Sequence, residues 1–109
     1  MSDPTSGDYH ISNELKHVYK QEFLEGANLF EQSFQQYQQS QIPAQQEAFK
    51  DVMKKAMVVM NETAKLCLNK EAQKSETQLN QNFEEFENNP SQQSMQQLSK
   101  SLDDLKKEL

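Results

Sequence analysis

The chain has 109 residues, 34% of them hydrophobic, with 17 acidic residues against 11 basic ones and a net charge of −6. That length suits one domain, and so sparse an apolar content leaves a small compact core marginal, which favours long helices sharing a seam within or between chains. Every basic residue is lysine; an acidic chain without arginine lacks the basic face and bidentate contacts of a nucleic-acid binder, and an anionic membrane surface repels it.

Residues 1–11 carry the turn formers Asp3, Pro4, Ser6, Gly7 and Asp8 and almost nothing to bury, so a disordered tail is expected there. Neither a basic start nor an apolar stretch marks a Sec-type signal peptide. The longest apolar run, Ala56 to Met60, has five residues, far short of a membrane span. A soluble, cytoplasmic protein is expected, and specialised, signal-peptide-independent export stays compatible with such a tail.

A single helical domain is expected over 12–109. Its first helix, 12–39, begins at the good N-caps Ser12 and Asn13. Phe23, Ala27, Phe30, Phe34 and Tyr37 recur at alternating steps of four and three, which places them on one helix face, the narrow seam of lengthwise packing. Gly26 inside this helix costs about 1 kcal/mol against alanine; close approach of a neighbouring helix beside Ala27 would account for it, as would a local bend.

After a short connection at Ser40 to Pro43, a second helix is predicted over 44–88. Phe49, Met53, Ala56, Met60 and Cys67 hold one register, with a polar step at Thr63. Leu68, Ala72, Leu79, Phe83 and Phe86 follow another, across a polar stretch that starts at Asn69. Such a phase change is either a coiled-coil stutter or a break near 69–75. The absence of proline and glycine over 44–88 favours one unbroken helix. Asn88-Asn89-Pro90 then punctuates the chain: Asn89 as N-cap and Pro90 at the first position open a last helix, 90–108, along Met95, Leu98, Leu102, Leu105 and Leu109.

The expected fold is all-α: antiparallel helical hairpins in a three-helix, coiled-coil-like bundle with a long central helix. The first helix packs on the front half of the central one and the last helix on its second half. A straight central helix makes the molecule elongated, and a bend near 69–75 makes it a compact bundle.

Ala56 to Met60 occupy most of the helix circumference, and Leu66, Cys67 and Leu68 widen the apolar band again. A helix apolar nearly all round is a buried one, so more than one neighbour must cover it. Met53, Met57, Val58, Val59, Met60, Leu66 and Leu68 are therefore the candidate partner-binding residues. Methionines beside Lys50, Lys54 and Lys55 suit a promiscuous helical groove, although the ordinary reading, which is favoured, is that they fill a core. Charge also varies along the chain. The first helix carries four glutamates and two lysines, residues 44–70 three acids and five lysines, and residues 71–89 five acids and one lysine. Opposite signs on the first two segments support their pairing, as orientation more than as stability. Sixteen glutamines, clustered at Gln35 to Gln46 and Gln92 to Gln97, read as uncharged helix surface.

Catalytic chemistry is not indicated. Cys67 lies in an apolar run and reads as a small hydrophobe in a reducing compartment, with no second cysteine for an intramolecular bridge. His10, Glu14 and His17 would share a helix face as metal ligands only if the first helix reached residue 10. No phosphate loop, nucleophile elbow, H-E-x-x-H or C-x-x-C occurs, and two glycines leave little loop for a preorganised site, so neither cofactor nor metal is expected. In being short, acidic, helical and loose at the start, the chain resembles accessory proteins and small chaperones of bacterial secretion systems. The expected function is a non-enzymatic protein–protein interaction module, an oligomeric adaptor or scaffold acting by self-association. The alternatives are a chaperone-like protein shielding a helical client and, from another class, a metal-dependent enzyme.

Overall fold

The structure, a computed structural model, describes residues 13–109; the tail expected over 1–11 lies outside them. The described chain is all-α: α1 (Asn13–Gln39), α2 (Pro43–Cys67), α3 (Lys70–Asn88) and α4 (Gln92–Lys107), with no strand among the described residues. The expected three helices are thus four.

The long central helix is broken. Leu68 takes an extended backbone (φ −99°, ψ 148°), and Asn69 caps α3 by accepting the Ala72 N–H on its side-chain oxygen at 2.8 Å. The Leu68 carbonyl is taken by Gln73 Nε2, also at 2.8 Å. No helix breaker is needed, because tertiary burial drives the reversal. A straight helix would leave Leu79, Phe83 and Phe86 without the first hairpin; folded back, all three are buried. Each such side chain contributes about 1.5–3 kcal/mol on burial, against about one capping interaction and a few backbone hydrogen bonds lost at the bend.

The start of the last helix differs as well. Ser91, not Asn89, is the N-cap, and Ser91 and Ser94 form a reciprocal capping box: Ser91 Oγ accepts the Ser94 N–H at 3.0 Å while Ser94 Oγ accepts the Ser91 N–H at 2.9 Å. Pro90 precedes the helix rather than opening it. At the other connection the sequence reading matches: Pro43 occupies the first turn of α2, where its missing N–H costs nothing.

Aromatic pairs fix the helix directions. Phe30 meets Phe83 edge-on at 5.4 Å, and Phe34 meets Phe86 at 6.0 Å. Ascending residues on α1 match ascending residues on α3, so these two run parallel across the core. Asn61 donates to Asn80 Oδ1 between α2 and α3 at 3.2 Å. From α4, Lys106 pairs with Glu31 at 2.7 Å, while Met95 lies beside Gln38 further along α1; α4 therefore runs antiparallel to α1. Neighbouring helices alternate up and down around one core, in which Phe23, Phe30, Phe86, Met53, Met60, Leu79, Leu98 and Leu105 are the largest fully buried side chains.

Candidate functional site

The seven candidate partner-binding residues do not share one surface. Met53, Met57, Met60 and Leu68 are buried, Leu66 is half-buried, and Val58 and Val59 are 51% and 39% exposed. The methionine row faces α1 and the core instead of forming an open groove. Of the seam residues, Phe23, Phe30, Phe34, Leu79, Phe83, Phe86, Leu98, Leu102 and Leu105 are buried, whereas Tyr37, Phe49, Cys67 and Met95 are half-buried.

An outward groove exists elsewhere, along the seam of α1 and α2. Its floor is Gly26 and Ala56, its apolar walls are Leu29 and Val59, and it encloses about 280 Å³. Gly26 creates it: the bare backbone lets α2 approach so closely that a Cβ there would stand 3.2 Å from Met60 Cγ and 3.5 Å from the Ala56 carbonyl oxygen. Close approach, not a bend, explains the glycine, and α1 runs on unbroken. Glu22 and Glu25 stand on the α1 wall and Lys55 on the α2 wall. Among the described residues none of these three has an ion pair. On α1, Val18, Glu22, Glu25 and Leu29 follow steps of four, three and four, so they share a face, which points away from the side where Glu31 meets α4. Val18 and Leu29 are exposed on it. On α2, Val52, Lys55, Val59, Glu62 and Leu66 repeat the same spacing. The sequence carried this second stripe on both helices, but interleaved charges disguised it.

Glu76 is the other residue that sequence reasoning missed. It falls at the seam step between Ala72 and Leu79, is 6% exposed, and its Oε2 has no hydrogen-bond partner. Burial pushes its carboxyl above the usual glutamate value, opposed by the charge of Lys65. Counting the α3 stripe from Ala72 lands on it.

Among the described residues no three His, Cys, Asp or Glu side chains come together to hold a metal ion. His17 is exposed, and the proposed companion His10 lies outside the described residues. The Cys67 thiol donates to the Thr63 carbonyl at 3.2 Å, and burial raises its pKa against the opposing charge of Lys20. A thiol in that state is a poor nucleophile. No described helix is long and apolar enough to cross a membrane. Compared with protein-family models, curated proteins and solved structures, the chain matches none.

Proposed function

We propose that this protein is a non-enzymatic protein–protein interaction module, a helical adaptor or scaffold of the cytoplasm, which docks through the outer face of the α1/α2 pair. The observation carrying this reading is the groove between Gly26 and Ala56, walled by exposed Leu29 and Val59 and flanked by solvated charges of both signs. A helix pair that has already buried one seam in its own core keeps a second apolar stripe in water, which costs solubility and gains nothing unless something covers it. The client-shielding alternative relied on the methionine row, and Met53, Met57 and Met60 are interior; the adaptor reading has a surface to work through.

A photo-crosslinking residue placed at Val59, compared with one at Gln81 on the polar outer face of α3, tests this in living cells. Discrete crosslinked adducts at position 59 and none at 81 are expected. Equal, diffuse labelling at both positions would overturn the reading.

A further inference from the structure

We infer that the occupant of the α1/α2 groove is a basic amphipathic helix of another protein, seated with its lysine- or arginine-bearing part over Glu22, Glu25 and Glu62. This rests on the docking face proposed above and names the chemistry of its partner.

Register sets the charge of the face. Gly26 lies against Ala56, Val59 and Met60, and α1 and α2 run antiparallel, so Glu22 stands level with Glu62, Leu29 with Lys55 and Val18 with Leu66. Both walls are therefore acidic at the height of Glu22, and Glu25 adds a third carboxylate about one turn nearer Leu29. All three glutamates and Lys55 are exposed, and among the described residues none of the four has an ion pair. Glu22 and Glu25 also repel each other along α1, a cost that a facing cation removes. Three carboxylates against one ammonium attract a basic partner and repel an acidic one. A second copy would double the acidic excess, in a chain already at −6, and residues 1–12 bring two aspartates and neither lysine nor arginine.

Shape selects a helix. The apolar residues of this face recur turn by turn, from Val18 and Leu66 to Val59 and Leu29, over about 16 Å, or roughly three helical turns. Two helices side by side leave a furrow of that spacing, into which the side-chain ridge of a third helix fits. No sheet edge is offered to an extended peptide, because the described residues hold no strand. No aromatic side chain lines the groove to receive a proline-rich one. The occupant's apolar stripe lies along Val59 and Leu29, while cations flanking that stripe reach Glu22 and Glu25 on one wall and Glu62 on the other.

Fluorescence anisotropy on the full chain reads the outcome, with a labelled helical peptide of about 18 residues whose leucines recur at steps of four and three between flanking lysines. Saturable binding below about 1 mM is expected, weakening as salt screens the charged walls. The same peptide with glutamate for every lysine should bind at least about tenfold more weakly. Glu22→Gln with Glu62→Gln, exposed changes that leave circular dichroism unaltered, should weaken binding about fivefold, and Lys55→Gln should strengthen it about twofold. Val59→Ser should weaken it to the same extent at low and high salt. Glu84→Gln with Glu85→Gln, on the exposed side of α3, should leave it unchanged. An equal loss from the α3 pair overturns the inference, as does a lysine peptide that does not bind in this range. If that peptide does not bind yet position 59 crosslinks in cells, to a second copy or to another protein, the docking face stands and the basic helix falls. If position 59 also fails to crosslink, both fall.

Discussion

Gly26 of α1 and Met60 of α2 lie so close that a methyl group on the glycine would stand 3.2 Å from the Met60 Cγ. This contact sets the spacing of the first hairpin and exposes the groove floor. Replacing Gly26 by alanine gains about 1 kcal/mol of helix propensity, while Met60, fully buried but unbranched, must yield by a few tenths of an ångström. We expect Gly26→Ala to be slightly stabilising, by less than about 1 kcal/mol, and Gly26→Leu to destabilise by about 1–3 kcal/mol through overpacking. Urea unfolding of both variants checks the pair of signs.

The edge-on contact of Phe30 with Phe83 joins α1 to α3 across the core. Phe83→Ala should cost about 3–5 kcal/mol, a large share of the stability of so small a domain. A double-mutant cycle with Phe30→Leu and Phe83→Leu should return a coupling of about 0.5–1.5 kcal/mol beyond the separate losses. Strict additivity would mean that the two hairpins are not docked as described.

Asn69 is the device that makes two helices of one stretch of sequence. Asn69→Ala removes the acceptor for the Ala72 N–H and should cost about 1 kcal/mol, whereas Asn69→Gly should cost only a few tenths. An unchanged unfolding midpoint for Asn69→Ala would show that the cap does not hold the turn.

Glu76 makes stability depend on pH in a direction opposite to that of most carboxylates. Its pKa in the folded state lies above the ordinary 4.5 because burial disfavours the charged form. Below that ordinary value the group is protonated in both states and imposes no charge-burial penalty. As pH rises from there through the raised folded value, the unfolded chain ionises more readily and stability is lost. Glu76→Gln should therefore match the native chain at acid pH, where the carboxyl is protonated in both states, and exceed it increasingly as pH rises towards neutrality. Thermal unfolding across that range measures the difference, and a gap that does not grow with pH would remove Glu76 as its source.

Much of the local structure was legible in the chain because it follows from spacing and propensity. The steps of four and three through Phe23, Phe30 and Phe34, and through Leu98, Leu102 and Leu105, mark helix faces whatever those faces meet. Pro43 opens α2 for reasons confined to its own ring. Likewise, Gly26 already signalled a close neighbour, since a glycine inside a helix is costly unless the missing side chain serves a contact.

What the tertiary structure decided lies where local signals are degenerate. Residues 44–88 contain nothing that forbids one long helix, so only the burial of Leu79, Phe83 and Phe86 against α1 turns the chain at Leu68 and Asn69. Whether the methionines face core or solvent depends on which side α1 approaches, and α1 approaches where Gly26 meets Met60. The unpartnered Oε2 of Glu76 and the outward groove at Val59 likewise arise only in the packed chain. By itself the sequence determined that this protein is helical and which residues lie along each apolar stripe. The side on which each helix found its neighbour, and hence the apolar strip left in water, was settled by packing, because burial is a property of the assembled chain and not of any one segment.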